Sequence, residues 1–308
     1  MSDKAKAKEL LGHLNRLSTE SPNPKSLHID RLAAVDICRI INDEDKTVAA
    51  AVERQIDNIA ATAEAVAAVM RNGGRLFYIG AGTSGRLGVL DASEIPPTFG
   101  ADPALVTGVI AGGRDTLVLS KEGIEDRADE APHDLKKFAF SSEDFLIGLA
   151  ASIRTPYTLA GIEYAKRIGA KTAMIVCNKA DDLAVRPDYL IELLVGSEVI
   201  TGSTRMKSGT AQKMTLNMIS TTAMILLGKC YGNLMVDLKA TSDKLVARSR
   251  KILMELLDID FEAADALIES SGGSVKTAIA MHRLSLSKQE AADRLASVNG
   301  SLWKLLDS

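Results

Sequence analysis

Three short segments of the chain combine glycine, hydroxyl and basic residues in a way that suits an anionic ligand. They are 80–86 (GAGTSGR), 151–156 (ASIRTP) and 199–210 (VITGSTRMKSGT). Glycines let backbone N–H groups approach an anion, while hydroxyl and guanidinium groups add further donors. We therefore predict that the segments together bind a small phosphorylated sugar. The candidate ligand residues are Gly82, Thr83, Ser84, Arg86, Ser152, Arg154, Thr155, Ser203, Thr204 and Lys207.

The first segment also satisfies the GxGxxG pattern, which raises the alternative of a dinucleotide site. Such a site needs an acidic residue at the end of the second strand to bind the ribose. Here the second apolar run, 105–110, is followed by Ala-Gly-Gly and Arg114 instead. We therefore favour a compact phosphomonoester over a dinucleotide, with a purely structural turn as the third interpretation.

The elements that position these segments follow from apolar runs that alternate with helical patterns. Because the runs are almost continuously apolar, they predict strands covered on both faces. The sequence therefore indicates an α/β fold with a doubly wound parallel sheet, in which ligands bind at the carboxyl ends of the strands. The predicted strands are 76–79, 105–110, 145–149, 172–177 and 189–194.

Helical patterns flank this region on both sides. Residues 5–72 are predicted to be helical, with long apolar-periodic stretches at 29–41 and 48–70 and a stop at Asn72-Gly73-Gly74. Short helical patterns at 261–267, 275–282 and 288–295 predict a small C-terminal bundle. We expect an N-terminal helical segment (1–55), a phosphosugar-binding domain (56–257) and the bundle (258–308).

Composition excludes several classes of protein. A net charge of −3 without a dense basic stretch argues against nucleic-acid binding. No apolar run approaches the ~18 residues that span a bilayer, and the N-terminus lacks a signal sequence, so we expect a cytoplasmic protein. Three scattered cysteines indicate reduced thiols, and four isolated histidines predict neither a metal nor another cofactor.

Longer motifs resemble the N-acetylmuramic acid 6-phosphate etherase family across nearly the whole chain. Three of them lie at 80–99 (GAGTSGRLGVLDASEIPPTF), 122–126 (EGIED) and 200–213 (ITGSTRMKSGTAQK), and three more lie at 40–45, 154–157 and 232–237. The resemblance implies a sugar isomerase-type domain, usually a homodimer. It also implies cleavage of the D-lactyl ether of N-acetylmuramic acid 6-phosphate, giving N-acetylglucosamine 6-phosphate and D-lactate, in the recycling of cell-wall sugars.

The same resemblance matches Glu94 and Glu125 to the two catalytic glutamates of the family. In the open-chain sugar the aldehyde acidifies the C2 proton, so a carboxylate can remove it without a metal. The lactate oxygen on C3 is a poor leaving group and needs a proton from a second carboxyl group. The resemblance makes Glu94 this acid and Glu125 the base, although the reverse assignment stays open, and we expect Glu94 to be buried.

One departure from the family pattern lies within the second segment, where Ile153 replaces the usual glycine. A branched residue cannot readily adopt positive φ, so the loop is expected to differ in shape. Two other functions suit the same fold: an aldose-ketose isomerase and a non-catalytic phosphosugar sensor. Release of lactate separates both from an etherase.

Overall fold

A five-stranded parallel sheet forms the centre of the chain. The computed structural model describes residues 11–12, 14, 16–238 and 243–307. The strand order is β2-β1-β3-β4-β5, as in a doubly wound sheet. The predicted α/β class is therefore confirmed. The strands are β1 (Leu76–Gly80), β2 (Val106–Ile110), β3 (Phe145–Leu149), β4 (Lys171–Val176) and β5 (Tyr189–Glu192).

Continuous burial explains why these strands were readable from the sequence. All five residues of β1 and all five of β3 are buried, since helices cover both faces of the sheet. The pairing register places Gly80 opposite Leu149, so β1 and β3 end side by side. The segments that follow these two strands, 81–86 and 150–155, therefore begin at the same edge.

Two long helices precede the sheet. They are α1 (Ala34–Glu53) and α2 (Ile56–Arg71), so the stretch predicted to be one helix at 48–70 is interrupted at Arg54 and Gln55. The Gln55 side chain accepts a hydrogen bond from the backbone N–H of Glu192 on β5, and this contact lies at the interruption. The part of the N-terminal helical prediction that covers residues 5–10 lies outside the described residues.

Four helices follow strands or connect them. One of them begins at Lys207, where a buried glutamate binds the N–H groups of the first turn, as described below. Two prolines, Pro96 and Pro97, lie inside the helix that follows β1. The helices are α3 (Gly82–Phe99), α4 (Glu130–Lys137), α5 (Pro156–Arg167) and α6 (Lys207–Leu226).

The C-terminal region is helical apart from a short antiparallel pair, β6 (Cys230–Tyr231) and β7 (Leu234–Met235). The three predicted bundle helices are present. Val236 and Leu253 pack in one apolar cluster with residues of these helices such as Ile279. The helices are α7 (Asp243–Leu257), α8 (Phe261–Ser270), α9 (Val275–Leu284), α10 (Lys288–Ser297) and α11 (Leu302–Leu306).

The chain divides into two compact units, which differ from the three segments expected at 1–55, 56–257 and 258–308. One unit contains residues 1–91 and 107–219, and the other contains residues 92–106 and 220–308. Val236, Leu253 and Leu257 link their part of the chain to the C-terminal helices, because they share the apolar cluster just described. None of the helices in the described part of the chain combines the length and apolar character needed to span a bilayer.

Candidate active site

A cavity of about 400 Å³ lies in the first unit, where β1 and β3 end. Its wall includes seven of the ten predicted ligand residues and one of the two predicted catalytic glutamates, Glu125. The seven are Gly82, Thr83, Ser84, Arg86, Ser152, Thr155 and Thr204. Arg154, Ser203, Lys207 and Glu94 are not part of the wall. Two of the three segments that the sequence singled out therefore supply six of these seven residues.

The turn between β1 and α3 brings backbone into the cavity wall. Gly82 has φ +53°, a conformation that favours glycine. A Cβ atom on Gly85 would lie 2.6 Å from the carbonyl oxygen of Gly80, so only glycine permits the helix to start this close to the strand. The first turn of α3 consequently presents its N–H groups, together with Thr83 and Ser84, at the cavity.

The hydroxyl of Ser84 is held by a buried amide. Ser84 Oγ donates to Gln212 Oε1 at 2.8 Å, and Gln212 lies on α6 with only 1% of its surface exposed. The Nε2 atom of Gln212 has no hydrogen-bond partner among the described residues. Gln212 therefore fixes the place of a cavity hydroxyl from behind.

The guanidinium of Arg86 binds backbone oxygens of the chain itself. It donates to the carbonyl of Thr116 at 2.6 Å and to that of Leu117 at 3.1 Å, with a longer contact to the hydroxyl of Ser120 at 3.3 Å. Thr116 and Ser120 also line the cavity. Arg86 thus holds the loop after β2 against the start of α3, in addition to forming part of the wall itself.

The loop after β3 contributes two hydroxyl groups. Ser152 Oγ and Thr155 Oγ1 lie 3.5 Å apart, and the exposed Arg154 donates its backbone N–H to Ser152 Oγ at 3.3 Å. Ile153 does not adopt positive φ, and its side chain is buried in the apolar core with Leu17 and Tyr157. The branched residue is thus accommodated by packing inward.

At the start of α6, the cation and the free N–H groups are occupied internally. Lys207 Nζ donates to Glu44 Oε2 at 2.6 Å, and both side chains are buried. Glu198, which is fully buried, accepts the backbone N–H groups of Lys207 and Ser208 at 2.9 Å. A carboxylate in this place stabilises the helix N-terminus, which leaves no first-turn donors at Lys207 and Ser208 for a ligand.

Glu44 is a strongly ionised carboxylate. Burial raises its pKa. The hydrogen bonds from Lys207, Lys25 and Asn23 together lower the pKa by more than burial raises it, and the net result is a pKa of about 2. The distances are 2.6 Å to Lys207, 2.8 Å to Lys25 and 2.9 Å to Asn23. Glu44 therefore neutralises Lys207 over the whole physiological pH range.

The two predicted catalytic glutamates have different environments. Glu125 is half-buried in the cavity wall, and its carbonyl oxygen accepts the N–H of Tyr157 at 2.9 Å, which ties it to the start of α5. Glu94 is exposed, contrary to the expected burial. It lies on the later part of α3 and is not part of the cavity wall.

Sequence reasoning missed a wall of the cavity that comes from the N-terminal region. Leu14, Leu17, Thr19 and Glu20 line the cavity although they precede α1. The buried side chain of Asn178 holds this segment by hydrogen bonds to Ser18 and Thr19. An asparagine directly after β4 was the available signal, since the carboxyl ends of neighbouring strands meet at one edge.

Comparison with known proteins agrees with this geometry. The chain is 50% identical to an N-acetylmuramic acid 6-phosphate etherase of Rhodopirellula baltica, over 96% of this chain and 98% of that protein. The chain belongs to the N-acetylmuramic acid 6-phosphate etherase family. Further members are 48% identical in a Geobacillus species (95% and 99% covered) and 47% identical in Escherichia fergusonii (96% and 99% covered).

Membership of this etherase family agrees with the domain type found. Residues 58–166 match a family model described as the glucokinase regulatory protein N-terminal SIS domain. Among solved structures, a phosphoheptose isomerase from Francisella tularensis aligns with a TM-score of 0.45 at 19% identity, covering 63% of this chain and 98% of that chain. The family's proteins are enzymes, and the cavity at the strand ends is where an active site is expected in this fold.

Proposed function

We propose that this chain cleaves the D-lactyl ether of N-acetylmuramic acid 6-phosphate, yielding N-acetylglucosamine 6-phosphate and D-lactate. The observation that carries the proposal is the sequence similarity to N-acetylmuramic acid 6-phosphate etherases, which are 48% to 50% identical to this chain over nearly its full length. The cavity supports it, because Glu125 provides a carboxylate and the start of α3 provides donors for a phosphate.

We place the phosphate at the N-terminus of α3. The corresponding donors of α6 bind Glu198, and the N–H of Tyr157 in α5 binds Glu125, so α3 offers the most open set. The remaining contacts to phosphate and sugar come from the hydroxyl groups of Thr83, Ser84, Ser152, Thr155 and Thr204. A direct role for Arg154, Ser203 or Lys207 stays a prediction.

The reaction proceeds by elimination followed by addition of water. Glu125 removes the C2 proton of the open-chain sugar, the C3–O bond breaks, and the departing lactate oxygen takes a proton from the acid. This elimination gives an unsaturated aldehyde as the intermediate. The acid, now a carboxylate, removes a proton from water as it adds to C3, and Glu125 returns its proton to C2. One water molecule is consumed and no metal is required, since the aldehyde acidifies C2.

The position of Glu94 supports an active site shared between two copies of the chain. Glu94 is exposed and is not part of the cavity wall. Leu90, one turn earlier on the same face of α3, is also largely exposed, at 48%. We propose a cytoplasmic homodimer in which Glu94 of each copy serves the cavity of the other.

Co-expression of two inactive variants tests this arrangement. Glu94→Gln and Glu125→Gln chains should each be inactive, whereas random pairing makes half of the dimers mixed, each with one intact site. The expected activity is about one quarter of the wild-type value per chain. Lactate release by the co-purified mixture is the measurement, with each variant co-expressed with itself as the control. An inactive mixture would show that both glutamates act within one chain.

The activity is tested by incubating the purified protein with N-acetylmuramic acid 6-phosphate in D₂O and following the reaction by NMR. We expect lactate release with deuterium at C2 of the product, since the C2 proton exchanges with solvent during elimination. Deuterium exchange with a ketose product and no lactate would indicate an isomerase instead. Binding without lactate release or deuterium exchange would indicate a sensor. The matched family model is named after a regulatory protein, which makes this alternative worth testing.

A further inference from the structure

The least expected residue in the cavity wall is Glu20. It belongs to a short 3₁₀ segment, Ser18–Glu20, more than a hundred residues from Glu125 in the sequence. Both glutamates nevertheless line the same cavity. Glu20 does not belong to the family motifs quoted above, and it has no role in the mechanism proposed above.

The backbone that carries Glu20 is fixed to the ends of the strands. Asn178 is 2% exposed, and its side chain accepts a hydrogen bond from Ser18 Oγ at 3.0 Å. The same amide donates to Thr19 Oγ1 at 3.0 Å and to the carbonyl of Ala151 at 3.1 Å. The N–H of Gly202 donates to the carbonyl of Thr19 at 3.1 Å. The segment is therefore attached from two sides.

The carboxylate of Glu20 lies close to the backbone of Gly202. A Cβ atom on Gly202 would lie 2.8 Å from Glu20 Oε2, and Gly202 also has φ +75°. The carboxylate is half-buried, and within the described residues it forms no hydrogen bond or ion pair. By contrast, the buried carboxylate of Glu44 is paired with Lys207. Glu20 lines the binding cavity and its carboxylate has no partner within the described residues, so it is available to accept a hydrogen bond from a ligand.

The chemistry of the substrate limits what that donor is. An ionised carboxylate only accepts hydrogen bonds and repels other anions, which excludes the phosphate and the lactyl carboxylate as neighbours. With the phosphate on C6 at α3 and C2 at Glu125, the groups between them are the C3 ether and the hydroxyls on C4 and C5. The ether oxygen has no proton to donate.

We propose that Glu20 is a positioning residue that accepts a hydrogen bond from the C4 or C5 hydroxyl of the open-chain sugar. This inference rests on the proposed function, because it takes the substrate from there. Its effect is to hold the carbon chain extended between the phosphate site and the base. Losing the charge of the acceptor should weaken binding about tenfold, because hydrogen bonds to charged groups are stronger than neutral ones.

The test uses 2-acetamido-2-deoxyhexitol 6-phosphate, an open-chain analogue without an aldehyde, and its 4-deoxy and 5-deoxy forms. Calorimetry should show that the wild-type protein binds one deoxy form about tenfold more weakly than the parent. Glu20→Gln should bind the parent about tenfold more weakly while losing most of its preference for the parent over that deoxy form. In turnover, the variant should show a raised KM with kcat nearly unchanged.

Glu143→Gln is the matched control, since Glu143 is exposed and precedes β3 at the opposite edge of the sheet. Equal weakening of all three ligands in Glu20→Gln would assign the residue a structural role and overturn the inference. So would equal binding of all three ligands by the wild-type protein. Failure of the wild-type protein to bind any of the analogues would also overturn the inference, whereas the proposed function fails only if no lactate is released from N-acetylmuramic acid 6-phosphate.

Discussion

Glu125→Gln should stop both lactate release and deuterium incorporation at C2, with a loss of at least about 10³-fold in kcat. The amide matches the carboxylate in size but cannot accept a proton. The residue is held by its own carbonyl oxygen, which accepts the N–H of Tyr157, so the backbone at residue 125 should stay in place. Rates are measured by NMR in D₂O, and binding of the acetamidohexitol phosphate by calorimetry should change only a few-fold.

Asp126→Asn provides the matched control for this variant. Asp126 is the next residue, is exposed and does not line the cavity, so the same chemical change there should leave activity intact. Continued C2 exchange in Glu125→Gln would show that another group is the base. Loss of exchange together with loss of binding would instead show that Glu125 shapes the cavity rather than reacting in it.

The second large effect concerns stability. Glu44→Gln should lower the free energy of unfolding at pH 7 by about 3 to 5 kcal/mol, because it leaves the buried ammonium of Lys207 without a counter-charge. Urea unfolding followed by circular dichroism measures this change. The control is Asp43→Asn in the same helix, which removes an exposed ion pair with Lys46 and should change stability little. A Glu44→Gln protein as stable as the wild type would contradict this account.

The same pair makes stability depend on pH in a defined direction. The pKa of Glu44 is lowered from 4.5 to about 2, so its stabilising effect is complete above about pH 4.5 and is lost as the pH falls towards 2. The shift corresponds to about 3 kcal/mol. The stability difference between the wild type and Glu44→Gln should accordingly shrink over this acidic range.

Much of the fold was predictable because buried parallel strands appear in a sequence as continuous apolar runs. The runs at 145–149 and 172–177 became β3 and β4 with almost no change of boundary. The interruption between α1 and α2 was not predictable, since Arg54 and Gln55 are both acceptable inside a helix. Gln55 contacts β5 there, and a contact over 137 residues leaves no local signal.

The location of the candidate site was predictable from the sequence, but the hydrogen-bond and ion-pair partners of its residues were not. Glycine and hydroxyl residues indicated the edge of the sheet at which the cavity lies. However, residue type does not show whether a cation is free or already bound, and Lys207 finds its partner 163 residues away. Arg86 similarly binds backbone oxygens, which no side-chain pattern reveals. Glu20 was overlooked for the same reason, because the residues that hold it lie far along the chain.

The attachment of Thr19 to Asn178 bears on how this protein could be shortened. The region that matches the SIS family model begins at residue 58. However, one wall of the cavity comes from Leu14, Leu17, Thr19 and Glu20, and Glu44 neutralises Lys207. A fragment cut at the conserved domain boundary would therefore lose part of its binding surface and expose a buried charge. In this family member the recognisable domain is smaller than the functional module, so engineering by domain exchange should carry the N-terminal residues along with the sheet.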